Sequence, residues 1–295
     1  MTDIISKNKN RIDVWPESAI AQEARSGSSK VFGRMTVWPS SSEARGHLSY
    51  DAGGDGGGSS PYVAKAINTD GSVLLSNSAI ACVDNNKCST SCWFNLPEIV
   101  FGEIWAADPT GEYQNSSGFS PNNGGCFDQV TATNTGVPLM SLQTIVAPGV
   151  WNHALITCDS TAGLAKYYLN GVDVGLLQNN YLPGGTPFDT DTMNGKLFTV
   201  LGDTFDGDST IGSVADVWIG LGVSLLDETG DIPLSTLRLF IDADGKPVDP
   251  SGFPSAACLF SGDATTFVTN QGTGGAFILT GTPTTIAGPT VAGSA

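Results

Sequence analysis

Basic side chains are scarce in this sequence: 13 Lys and Arg stand against 29 Asp and Glu, a formal charge of −16. That balance argues against a nucleic-acid partner, because phosphates are held by cations and repelled by carboxylates. The few cations are also unevenly spread. Residues 1–34 hold six of them against four acids, and the remainder holds seven against 25. A mildly basic arm therefore precedes a strongly acidic body. The arm reads either as a dock for an acidic surface or as a solvated tail. Long apolar runs are missing too. None approaches the roughly 18 residues of a membrane span, so no membrane insertion is expected. The opening MTDIISKNKNRIDVWPESAI lacks the apolar stretch of a secretory signal, which leads us to expect synthesis in a cytoplasm without export. Histidine is limited to His47 and His153. There is no G-x-S-x-G elbow and no glycine-rich phosphate loop followed by Lys-Ser/Thr. Between residues 31 and 225 no convincing helical periodicity occurs.

Glycine is abundant, at 37 residues, and charged residues make up only 14%. Many short β-prone runs separated by Gly, Asn and Ser predict an all-β sandwich. Strands are expected at 62–67, 73–82, 90–96, 98–106, 138–146, 151–158, 164–170, 172–177, 196–201 and 211–219. Loops are expected at 51–60, 115–125 and 179–194. The clearest local signal is Trp151 to Gly175, WNHALITCDSTAGLAKYYLNGVDVG. Asn170-Gly171 predicts a tight hairpin, since both central positions of a type I′ turn need positive φ. Trp151, Leu155, Tyr168 and Trp218 are expected in or beside the core. His153 lies on a hairpin strand and reads as a hydrogen-bonded structural imidazole rather than a general base.

The phrase W-N-H-A-L-I-T … Y-Y-L-N-G-V-D-V resembles the middle of laminin G-like domains, the concanavalin-type jelly roll. Ser213-Val-Ala-Asp-Val-Trp-Ile219 is similar to their closing strand, and Ser91-Cys-Trp-Phe94 to an early one. The resemblance covers roughly 73–220. It implies a two-sheet antiparallel jelly roll over residues 31–225, with its core at about 70–222. An arm at 1–30 and a small C-terminal β module with an extended tail at 226–295 complete the expected organisation. The stretch PLSTLRLFIDADGKPVDP … CLFSGDATTFVTNQGTGGAFILTG resembles the tail that follows such jelly rolls in phage and prophage virion proteins. A short helix or turn is expected at 234–240, with strands at 257–261 and 276–280. The last strand is expected to add to a sheet edge, of its own domain or of a neighbouring subunit.

The two resemblances together imply a non-enzymatic phage structural protein located in the virion: capsid decoration, collar, fibre or tail. Its implied partners are other virion proteins and copies of itself, in a homo-oligomer. The alternative is a carbohydrate-binding adhesin module that contacts a surface glycan. Sugar faces stack on exposed aromatics, and Trp105, Tyr113 and Tyr181, in or beside long loops, are the candidates. No catalytic residues are expected. Glycoside hydrolases of this fold carry paired acids, and Glu98 and Glu103 are the available pair. A spacing of five places them on opposite faces of a regular strand.

Two further sites come from spacing. Asp203, Asp206 and Asp208 surround a glycine turn, an arrangement suited to Ca²⁺ and its many oxygen ligands. The same residues also read as a solvated acidic hairpin tip. Cys82, Cys88 and Cys92, spaced C-x5-C-x3-C, lack the paired CxxC and nearby His of a zinc site. With Cys126 they are either disulfide candidates or buried small hydrophobes.

Overall fold

Asn170 and Gly171 turn the chain with φ of 53° and 77°, the pair of positive angles expected from their sequence. They join β9 (Leu164–Leu169) to β10 (Val172–Asp173), and β8 (Asn152–Asp159) pairs antiparallel with β9. In the computed structural model the described residues are 62–80, 87–98, 103–107, 117–120, 126–129, 140–141, 146–159, 162, 164–174, 197–202 and 210–293. They all belong to one of the two units into which the chain divides, Ser59–Ala295.

The strands form two antiparallel sheets. β1 (Lys65–Asp70), β3 (Lys87–Asn95), β12 (Ile211–Leu221) and β15 (Thr284–Ala287) join the hairpin strands in the first. Its order is β10-β9-β8-β3-β12-β1-β15, and β13 (Cys258–Phe260) pairs with the far half of β12. The second sheet contains β2 (Leu74–Asn77), β4 (Trp105–Ala107), β5 (Ser117–Ser120), β6 (Cys126–Gln129), β7 (Met140–Ser141), β11 (Phe198–Val200) and β14 (Ile278–Thr280). Its order is β14-β2-β11-β4-β5-β6-β7. The two-sheet sandwich expected from the sequence is therefore present. Part of one expected loop is strand: Ser117–Ser120 forms β5 and pairs antiparallel with β6.

Alternation along the strands divides the buried residues into two cores. Ala154, Ile156 and Cys158 of β8 face the second sheet, as do Cys92 and Phe94 of β3 and Val214, Val217 and Ile219 of β12. They meet Leu75, Trp105, Phe198 and Val200 there. Leu155, Trp93, Ala215 and Trp218 point the other way and make a separate core with Ile232, Leu237, Phe240, Ile241 and Ala256. Tyr168 packs against that second core half-buried, so all four aromatic and aliphatic residues expected at the core lie in or beside it.

The outer core is built by the C-terminal region. After β12 the chain crosses the sheet's outer face, and Leu225 N–H donates to Thr157 Oγ1 while Ser89 Oγ donates to the Val223 carbonyl. Helix α1 (Leu234–Leu237) and the turn after it set Phe240 edge-on to Trp218 at 5.1 Å. The Trp218 indole N–H donates to the Pro254 carbonyl at 2.7 Å. The chain then adds β13 and β15 to the first sheet and β14 to the second. Residues 226–295 were expected as a small β module with an extended tail. Their strands instead complete both sheets of the sandwich, and Leu237, Phe240 and Phe260 are buried there. The choice left open for the last strands is settled within the chain: they lie on the edges of their own domain's sheets.

Candidate functional site

An open groove of about 400 Å³ lies at the end of the first sheet where β3 and β9 begin and β8 and β12 finish. One wall is the sheet, through Lys87, Asp159 and Leu164. The other is the strap that leaves β12, through Ser224, Leu226 and Asp227. Backbone hydrogen bonds fix the junction. Gly222 N–H donates to the Lys87 carbonyl at 2.9 Å, and Val223 N–H to the Gly220 carbonyl at 3.2 Å.

Each aspartate closes a local turn with its Oδ1. Asp159 accepts from Ala162 N–H at 3.0 Å, which shapes the β8–β9 turn. Asp227 accepts from the Thr229 hydroxyl at 2.6 Å and from the N–H groups of Thr229 and Asp231. The Thr229 hydrogen bonds hold the Asp227 carboxyl below the usual carboxylate range. It is therefore an ionised acceptor at neutral pH rather than a proton donor, and a general acid needs the reverse shift. Lys87 Nζ lies 3.9 Å from Asp159 Oδ2, so cation and carboxylate are presented together. Fixed acceptors, an ammonium donor and the Leu164 and Leu226 side chains suit a ligand with hydroxyls on its rim and C–H groups on its face.

The residues singled out in the sequence are placed elsewhere. Trp105, expected among the sugar-stacking aromatics, is fully buried. It stacks on Phe198 at 5.2 Å and donates its indole N–H to Thr90 Oγ1 across the sandwich. Its position on a central strand, facing the other sheet, removes it from any ligand. Tyr113, Tyr181, Asp203, Asp206, Asp208 and Cys82 lie outside the described residues, as does the Cys126 side chain. Among the described residues no group of three or more His, Cys, Asp or Glu gathers to hold a metal.

Cys92 is a buried free thiol, in keeping with the second of the two readings its spacing left open. Burial raises its pKa, and that of Cys158 up to about 12, as for small apolar residues in a dry core. Cys88 is buried opposite Cys158, whose thiol donates to the Cys88 carbonyl at 3.3 Å. Glu98 is exposed just beyond β3, and Glu103, just before β4, offers its carbonyl to the Thr210 hydroxyl at 2.8 Å. His153 is fully buried, 2.9 Å from Ser91 Oγ and packed on Trp93, and burial pulls its pKa down to about 3. It is a neutral structural imidazole. Sequence reasoning missed the groove, because its strap wall, residues 222–227, carries no motif.

The two layers form an antiparallel β-sandwich, the architecture of a jelly roll. No protein-family model matches the chain, and no curated protein does. Among solved structures, a heptameric SAP-like pentraxin from Limulus polyphemus is 13% identical, with a TM-score of 0.41, over 74% of this chain and 94% of its own. The fourth and fifth LG domains of the mouse laminin α1 chain are 12% identical, with a TM-score of 0.39, over 59% of this chain and 46% of theirs. The enzymatically active domain of tailspike protein 2 of bacteriophage CBA120 is 16% identical, with a TM-score of 0.36, over 51% of this chain and 24% of its own. Likeness of this size lies in the run of the strands, and none of the three lends this chain a ligand or an activity.

Proposed function

We propose that this chain is a non-enzymatic saccharide-binding module. The observation that carries the reading is the groove between the first sheet and the strap, where Lys87, Asp159 and Asp227 are held by backbone turns beside Leu164 and Leu226. Carboxylates accept from sugar hydroxyls, the ammonium donates to them, and the aliphatic side chains take the C–H face. An array of bacterial surface polysaccharides tests it. The wild-type chain is expected to retain at least one glycan, and Asp159→Asn and Asp227→Asn, which keep the turn-closing Oδ1 but lose the charge and the second acceptor oxygen, to lose at least tenfold in affinity with little change in melting temperature. An array without a hit, or a hit indifferent to both substitutions, overturns the reading. Release of reducing ends from a bound glycan overturns its non-enzymatic part.

A second reading concerns where the module works. The resemblance of residues 230–281 to the C-terminal stretch that follows such jelly rolls in phage and prophage virion proteins supports a structural component of the particle, displayed in several copies beside other virion proteins. That same stretch supplies α1, β13 and β14, so the resemblance bears on an integral part of the domain. Immunogold labelling of purified particles with an antibody to the chain is expected to decorate head, collar, fibre or tail. Unlabelled particles, with the chain left in the particle-free fraction, contradict it.

A further inference from the structure

Asp216 is the least comfortable residue among those described. It lies in the bulge that interrupts the β12–β3 register between Ala215 and Trp218, with φ of 48°. Left-handed backbone at a residue other than glycine is strained, and such strain persists only where neighbours enforce it. The side chain is fully enclosed. Its Oδ1 accepts from the Ser261 hydroxyl at 2.7 Å and from the Tyr62 hydroxyl at 2.9 Å. Its Oδ2 is buried with no hydrogen-bond partner.

Three distant stretches meet at this carboxyl. Tyr62 belongs to the lead-in to β1, Asp216 to the middle of β12, and Ser261 to the exit from β13. The charged groups on the elements packed there are Lys65, Asp263 and Asp249. Lys65 and Asp263 are engaged with each other at 2.9 Å, and Asp249 adds a repelling negative charge. Among the described residues no cation pairs with Asp216.

We propose that Asp216 is a proton-operated latch that fastens the lead-in to β1 and the exit from β13 onto β12 when neutral, and loosens both when ionised. When the carboxyl is neutral, its proton on Oδ1 is donated to the Tyr62 or Ser261 oxygen, and Oδ2 is a carbonyl oxygen that tolerates a dry site. A carboxylate instead shares its charge equally with that orphan oxygen and draws water toward it. Water reaches Oδ2 only if Tyr62 or Ser261 gives way. Burial pushes the pKa up to about 7, against the two hydroxyl hydrogen bonds that favour the ionised form. The latch is therefore poised near neutrality.

The sign follows from linkage. Between the unfolded carboxyl value, roughly 3.9, and about 7, the folded protein holds a proton here that the unfolded chain has lost, so this group's contribution falls as pH rises. His153 acts oppositely: its depressed value makes stability rise with pH from about 3 toward the ordinary imidazole value. The two nearly cancel in mildly acidic solution. The informative quantity is thus a difference between chains.

Thermal unfolding of the full chain and of Asp216→Asn across this range supplies it. The melting temperature of wild type minus that of the variant is expected to fall by on the order of 10 °C from pH 4.5 to 7.5, then level off. A difference independent of pH overturns the proposal. Hydrogen exchange, corrected for intrinsic rates, tests the latch itself. Protection around Val63 and Ser261 is expected to drop at least tenfold from pH 6 to 8.5 in wild type, while the β8–β9 hairpin keeps its own. Loss spread evenly over the sandwich, or none, overturns it. Should the Asn variant fail to fold, infrared spectroscopy of Tyr62→Phe decides. A protonated-carboxyl band that persists at pH 6 and vanishes by pH 8.5 supports the latch, and its absence at pH 6 overturns it.

Discussion

The two faces of the first sheet are both buried, but by different means. The inner face is apolar along its central strands and meets a second sheet of the same kind. The outer face mixes Trp93, Leu155 and Trp218 with Ser89, Ser91, His153 and Thr157, and is covered by a strap with little regular structure. Sheet-on-sheet packing satisfies backbone groups before the faces meet, so apolar complementarity suffices. An irregular strap brings unpaired N–H and C=O groups, which must find partners as it is buried. Ser89, Thr157 and Trp218 are those partners, for Val223, Leu225 and Pro254. Polar residues on the outer face are thus the fastening for the strap, and the strap in turn makes one wall of the groove.

Removing the chain beyond Leu225, which carries most of the strap, has the largest expected effect. A chain that ends at Leu225 exposes Trp93 and Trp218 and loses β13, β14 and β15, so it is expected to lack a cooperative unfolding transition and to bind a hydrophobic dye. A well-folded product with native near-UV circular dichroism would mean that the outer core is an accessory. Single truncations compare the faces directly. Trp218→Ala outside and Phe198→Ala inside are each expected to cost about 3–5 kcal/mol in chemical denaturation. An outer cost below 1 kcal/mol beside a full inner cost would break the equivalence of the two cores.

Gly220 sharpens the comparison next. A methyl group there would come within 2.7 Å of the Trp218 ring and 2.9 Å of Val223 Cβ. Gly220→Ala is expected to cost about 1–3 kcal/mol by overpacking the strap against the sheet, read from the same denaturation curves. The smallest effect belongs to Lys166, which reaches from β9 to Asp231 of the strap at 2.6 Å and to Asp173 at 3.1 Å. Lys166→Met should change stability by no more than about 1 kcal/mol, since exposed ion pairs are screened, and the change should shrink in high salt.

The inner face was legible in the sequence because alternation and turn chemistry report on it. Asn170-Gly171 fixed the hairpin register, and Trp151 to Asp159 reads as a buried strand. Ile211 to Ile219 was recognisable as a strand, but nothing in Val-Ala-Asp-Val-Trp announces the bulge at Asp216. The bulge reflects an encounter with Tyr62 and Ser261, each distant in sequence. Thr284–Ala287 reads as an extended tail, since its four residues bury little; the edge of β1 makes it a strand. Trp105 was misplaced because it stands at the end of an expected strand, beside a loop, where the sequence does not say which way a side chain faces; in β4 it faces the other sheet. The groove was invisible for the same reason as the bulge. Its walls are brought together only by the strap's route across the sheet.

Native-state hydrogen exchange tests that route most directly. Amides of β12, of β8 and of residues 232–241 and 256–260 are expected to open together, at one free energy close to that of global unfolding. That result makes the strap, the outer core and the groove a single preorganised unit. Exchange of residues 226–293 at a distinctly lower free energy, with β8 and β12 still protected, would contradict it: the strap would be a detachable module and the groove a transient one.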